Sequence, residues 1–152
     1  MKKVVIRIFI LIFMSVLISS FCAELQPNEF FNGTIFTVSG IVFSLGLGLI
    51  VTFNLSSIKN KKYIAEIRKT LNKVRNSFIF YFIVTVVCYI LDKYLRDKCI
   101  ISLPLFKMKN LQIELNYAIF FCVLMFYSIA YYVINFLNIQ KLNDDIFDKT
   151  TE

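Results

Sequence analysis

The chain of 152 residues has no histidine and no tryptophan, only four glycines and two prolines, and 10 acids against 17 lysines and arginines. Each shortage removes a class of chemistry. Without histidine there is no Ser-His-Asp or Cys-His set for nucleophilic catalysis, and the commonest transition-metal ligand is missing. The four cysteines, Cys22, Cys88, Cys99 and Cys122, form no CxxC pair, so no zinc site is expected. No glycine-rich loop is present to cradle a phosphate, and no pair of carboxylates falls inside an apolar run. Neither a metal, a cofactor nor an enzymatic reaction is expected. Pro27 and Pro104 are both assigned to loops, which leaves long uninterrupted runs between them.

Those runs are what the chain has in abundance. Residues 4–23, 34–53, 77–95 and 116–137 are nearly all apolar. Each holds about twenty residues, and at about 1.5 Å of rise per residue a helix of that length crosses a hydrocarbon core of roughly 30 Å. A hydrophobic content of 58% with 17 phenylalanines, and a mean hydropathy of +0.69, exceed what a soluble domain of this size carries. A soluble bundle would also show a polar stripe along each helix. The expected fold is all-α and integral to a membrane: four transmembrane helices in a single domain, 1–152, with a basic amphipathic cytoplasmic helix over 57–76 extending the third span.

Basic residues set the expected orientation. Lys2, Lys3 and Arg7 precede or open the first run, and Lys59, Lys61, Lys62, Arg68, Lys69, Lys73 and Arg75 crowd the second loop. Lys141 and Lys149 follow the fourth run, while the first loop carries only Glu24 and Glu29. The positive-inside rule then places both termini and the second loop on the cytoplasmic side of a cell's inner membrane. The third loop, with Lys93, Arg96, Lys98, Lys107 and Lys109 offset by Asp92, Asp97 and Glu114, fits that rule less well. The first run also begins as a secretory signal peptide does. Its end, Ser20-Phe21-Cys22-Ala23, puts a bulky residue where a cleavage site or a lipoprotein site needs a small one, so the run is expected to be retained. Cys22 and Cys99 would share the outer side and could be bridged.

Within the second run Gly40, Ser44, Gly48 and Thr52 recur every four residues, and Ser56 continues the series. Residues at that interval share a helix face, and a small-residue face lets two backbones approach closely in lipid. Three uses stay open: packing inside the chain, contact between copies, or the lining of a narrow path. Gly46 lies off this line. Polar faces also run along the third span (Ser77, Tyr81, Thr85, Cys88, Asp92) and the fourth (Ser128, Tyr131, Asn135, Asn138), and both are expected to point into the bundle. No acid lies deep in a span, and Arg7 and Asp92 are placed near span ends, within reach of head groups. The small multidrug exporters share the size and span number, but their first-span glutamate has no counterpart here.

Between the second and third spans Ile64, Ile67, Leu71, Val74 and Phe78 form a heptad-like seam. Lys59, Lys61, Lys62, Arg68, Lys69, Lys73 and Arg75 cover the rest. Three readings apply: a helix bound to anionic lipid head groups, a site for an anionic ligand such as a nucleotide or oligonucleotide, or a coiled-coil seam between subunits. The acids Asp144, Asp145, Asp148 and Glu152 would sit on the same side, where they could clasp this helix. In its four spans and basic second loop, Lys59 to Arg75, the chain resembles the small membrane effectors of bacterial anti-phage signalling systems such as CBASS and Hailong. That resemblance implies cytoplasmic recognition of a nucleotide signal and damage to the host membrane. It rests on layout, so no site residue is carried over from it. Phage holins and superinfection-exclusion proteins have a similar profile, and the Lys-, Asn-, Ile- and Phe-rich composition fits an AT-rich bacterial or phage genome.

The functional expectation is a homo-oligomeric channel or pore-forming effector in the lipid bilayer, gated by an anionic cytoplasmic ligand. The alternative is a membrane anchor, sensor or accessory subunit whose basic helix docks a soluble cytoplasmic protein. A small transporter is the third class.

Overall fold

The structure is a computed structural model. It describes residues 2–22, 25, 27–55, 58, 60–97, 102–108 and 111–151, with side chains at 6, 9–22, 25, 27–55, 58, 60–97 and 115–147. Four helices account for most of them: α1 (Lys2–Phe21), α2 (Glu29–Thr52), α3 (Lys61–Asp97) and α4 (Tyr117–Thr151). Between α3 and α4 lies an antiparallel hairpin of β1 (Ser102–Met108) and β2 (Leu111–Asn116). Among the described residues, three helices are long and apolar enough to cross a membrane: Glu29–Thr52, Lys61–Asp97 and the Tyr117–Phe147 part of α4. Helix α1 has a shorter apolar stretch, Phe9–Phe21, among the described residues.

Asparagine starts three of the helices. Asn28 Oδ1 accepts from Phe31 N at 2.8 Å, Asn60 Oδ1 from Lys62 N at 3.0 Å, and Asn116 Oδ1 from Ile119 N at 3.3 Å. Each supplies an acceptor to an amide left without an intrahelical partner in the first turn. Helix α3 then runs 37 residues without a break, about 55 Å at 1.5 Å per residue, so the basic segment from Lys61 onward and the third apolar run form one rod. The helix expected from 57 begins at Lys61 instead: Ile58 and Asn60 are not helical, and Asn60 caps the start. Helix α4, of 35 residues, continues past its apolar run in the same way.

Helices α2, α3 and α4 pack into a three-helix core, and α1 leans on α4 and β2. The α2–α3 contact is antiparallel and aromatic. Phe36 stacks on Tyr89 with ring centroids 4.4 Å apart, and two turns further on Phe43 stacks on Phe82 at 4.2 Å. Phe78 and Tyr132 fill the middle at 5.0 Å, and Tyr132 Oη donates to the Phe78 carbonyl at 3.3 Å. Outward faces are apolar too, with Phe13, Phe30, Leu45, Val51, Ile83, Ile90 and Ile134 exposed.

Among the described residues, the hairpin is the departure from an otherwise helical architecture. Leu111, Ile113 and Leu115 alternate with Gln112, Glu114 and Asn116, the period of a strand. Pro104, expected in a loop, lies within β1 beside the register shift between Pro104 and Phe106. A ladder interrupted there tolerates a residue with no N–H to donate.

Asn116 ends the hairpin and ties three elements together. It is buried; its Nδ2 donates to Leu25 O at 2.9 Å, and its carbonyl accepts from Ser19 Oγ at 2.8 Å. Asn116→Ala removes the α4 cap and leaves the Leu25 carbonyl without its donor. It is expected to cost about 1–3 kcal/mol. A thermal melt in neutral detergent should show a clear fall, and Asn138→Ala, at an exposed position of the same helix, should show none.

Candidate functional site

The small-residue face of α2 points away from the helix core at its lower end. Ser44, Gly48 and Thr52 are exposed, and a Cβ added at Gly48 would meet nothing within 4 Å. At Gly40 the nearest atom is Phe82 Cε2 at 4.0 Å, so only the upper end of this face touches α3. Ser44 Oγ donates to Gly40 O at 2.9 Å and Thr52 Oγ1 to Gly48 O at 3.0 Å, so both hydroxyls are satisfied within their own helix. Packing inside the chain uses other residues: Asn32, Ile35, Ser39, Gly46 and Ile50 form the buried face of α2. The close approach is at Gly46, where the Phe78 ring lies against the backbone. A second pair of small residues, Ser15 and Ser19, is buried on α1. Of the three uses open to Gly40, Ser44, Gly48 and Thr52, packing inside the chain falls mainly to Gly46 and the buried serines instead.

Asp92 does not reach outward as its position near a span end suggests. It is 5% exposed and accepts from Asn32 Nδ2 at 2.8 Å. Arg96 pairs with it at 3.1 Å and donates through Nη1 to the Pro27 carbonyl at 2.7 Å. The polar face of α3 does point into the bundle, with Thr85, Cys88 and Asp92 all buried. On α4 Ser128 is buried, Tyr132 rather than Tyr131 occupies the centre, and Asn138 is exposed.

The basic end of α3 is divided by its packing. Ile67 and Leu71 are buried with Ile50 of α2 and with Ile139 and Ile146 of α4, and Val74 and Leu142 pack against them. From Ile67 onward the heptad-like seam is thus covered within the chain, while Ile64 borders an open hollow. The α4 extension lies along the basic helix through these apolar contacts; among the described residues no ion pair joins Asp144 or Asp145 to a cation of α3. On one flank of the seam Lys61, Arg68, Lys69 and Asn72 border a hollow of about 670 Å³. Arg68, Asn72 and Arg75 border a second, of about 520 Å³, against the end of α2 and the segment after it, Phe53 to Leu55. Lys62 and Lys73 are exposed and border neither. Lys59, Ser56 and the Cys22–Cys99 pairing lie outside the described residues.

The geometry therefore separates two features the sequence placed close together: a small, exposed face on α2, and a basic groove shared by α3 and the end of α2. The chain matches no family model, and neither a curated protein nor a solved structure is detectably similar to it.

Proposed function

We propose that this protein is a four-span integral membrane protein that associates with copies of itself and opens a pore in the bilayer. Helices α1 to α4 are the spans, with both termini and the basic end of α3 on the cytoplasmic side of the inner membrane. The exposed apolar faces support membrane embedding, since water would meet them at a cost of about 25 cal/mol per Å². Helix α1 has the 20-residue length of a span, with Lys2, Lys3 and Arg7 gathered at the end placed on the cytoplasmic side.

The observation that carries self-association is the outward small face of α2. Phenylalanine and tyrosine rings fill the interior between α2, α3 and α4, so a water path through one protomer would have to displace them. A path between protomers needs a face where backbones approach closely, and Ser44, Gly48 and Thr52 offer one. Opening by an anionic cytoplasmic ligand, and damage to the host membrane as in the anti-phage effectors it resembles in layout, belong to the same proposal.

Gly48→Leu tests it cleanly, because the space at Gly48 is open and the protomer loses nothing by the change. Wild type should depolarise cells on overexpression, and the variant at matched membrane levels should not. Cross-linking in the membrane should show oligomers for wild type alone. Equal depolarisation by both would remove this face from the pore.

A second reading draws on the exposed Lys62, Lys69 and Lys73, a basic outer surface suited to docking a soluble acidic protein. In that case the chain alone is inert, and neutralising these three lysines releases the partner in a pull-down.

A further inference from the structure

The cations of this chain are treated differently at its two ends. At the end where α2 begins, Lys93 Nζ lies 3.3 Å from Glu29 and Arg96 pairs with Asp92 at 3.1 Å. At the other end, among the described residues, Arg68 and Arg75 have no acidic partner and no acid borders either hollow. Both arginines line the same hollow of about 520 Å³, two helical turns apart on one flank of α3, with Asn72 between them. The rise between them is about 10 Å, a gap that two guanidinium side chains can close on one small anion. Arginine's planar fork suits phosphate oxygens better than the point charge of lysine does.

Among the described residues, the rest of the hollow carries no other cation. Val51 and Phe53, at the end of α2, form its apolar side, and Val51 is 80% exposed. This junction is also where the apolar run of α2 stops and that of α3 has not yet begun. A groove with a cationic rim and an apolar wall, placed at that level, matches a molecule that is a phosphate on one side and greasy on the other.

We propose that this groove binds a phosphate ester, its phosphate held by Arg68 and Arg75 and its less polar part lying on Val51 and Phe53. Two sources share that chemistry: the head group of an anionic phospholipid and a soluble phosphate compound. The lipid source rests on the membrane placement proposed above. Neither source depends on the pore.

The test uses the full chain, reconstituted in phosphatidylcholine nanodiscs containing phosphatidylglycerol, then released into neutral detergent and weighed by native mass spectrometry. Wild type should retain phosphatidylglycerol. Arg68→Gln with Arg75→Gln should retain about tenfold less, the loss of roughly one charge-assisted contact in free energy. Lys62→Gln with Lys73→Gln removes the same charge outside the groove and should stay within about twofold of wild type. Arg68→Lys with Arg75→Lys should fall between, separating the arginine fork from charge alone. An equal loss in the two glutamine variants would overturn the proposal, as would no retention by wild type both of this lipid and of inorganic phosphate. A wash with inorganic phosphate distinguishes the sources. Displacement from wild type marks a soluble phosphate compound as the occupant, and continued retention marks the lipid; both support a phosphate site. No current or potential is measured, so the result stands whether or not wild type depolarises cells. All four proteins should melt at the same temperature, because both arginines and both lysines are exposed.

Discussion

Gly46→Leu is expected to destroy the folded bundle, while the same substitution two residues along, at Gly48, leaves it standing. Phe78 is 0% exposed, wedged between α2 and α4. A Cβ at position 46 would collide with its Cε2 and lie 3.0 Å from Cδ2 and 3.1 Å from Cζ. The ring has nowhere to go, because Tyr132 stands 5.0 Å and Tyr131 6.0 Å away, centroid to centroid. Moving the Phe78 backbone would break the bond its carbonyl accepts from Tyr132. Overpacking of this kind costs about 1–3 kcal/mol for small additions, and a whole leucine side chain exceeds that. Against a typical total stability of about 5–15 kcal/mol the loss is large. Gly46→Leu should therefore fail to accumulate in membranes or melt far below wild type, and Gly46→Ala should fall in between. Gly46→Leu combined with Phe78→Ala should recover part of the loss, since the cavity left by the ring receives the new side chain. A normal melt for Gly46→Leu alone would mean that Phe78 is not seated on α2.

The difference between these two glycines shows what the sequence does and does not carry. Helix existence was legible, because a twenty-residue apolar run has few alternatives and because no proline or glycine breaks 61–97. Helix facing was legible only in part. In a soluble helix, polarity marks the outside, but here the exposed faces are as apolar as the core and the contrast that would distinguish them vanishes. The four-residue repeat of Gly40, Ser44, Gly48 and Thr52 was conspicuous for that reason. The face that packs, Asn32, Ser39 and Gly46 at seven-residue intervals with Ile35 and Ile50, had a weaker signature, although Asn32 pointed to it. An amide at the start of an apolar run needs a partner, and its partner is Asp92. The hairpin's signal, alternation over 111–116, is short beside the long apolar runs. In the basic helix the seven cations were legible as a group. Their division into Arg68 and Arg75 at the groove and Lys62 and Lys73 outside it depended on which flank α2 covers, and no local pattern records that.

Asp92→Ala should be the most damaging change at the opposite end of the bundle. The carboxylate is the shared acceptor for Asn32 Nδ2 at 2.8 Å and Arg96 Nη2 at 3.1 Å, and Arg96 in turn holds the Pro27 carbonyl at 2.7 Å. One acid thus joins the start of α2, the loop before it and the end of α3. Asn32 Oδ1 and Arg96 Nε are already buried without a hydrogen-bond partner, so removing Asp92 would add Asn32 Nδ2 to the buried groups left unsatisfied. Removing one member of a buried ion pair costs about 3–5 kcal/mol, mostly because the other charge stays behind. Here the lower end applies, since the Arg96 side chain is 32% exposed and water can reach part of it. Asp92→Asn keeps an acceptor for Asn32 and should cost less than Asp92→Ala. The decisive measurement is a double-mutant cycle between Asn32→Ala and Asp92→Ala, read by reversible unfolding in detergent. A coupling of about 1–2 kcal/mol would establish the direct bond. Additivity within about 0.5 kcal/mol would mean that the two side chains act independently and that α2 is held to α3 by its other contacts. Because this cluster and the α3 groove lie at opposite ends of the bundle, Asp92→Ala protein that still folds should retain phosphatidylglycerol as wild type does. Loss of stability and loss of the phosphate site are thereby separable.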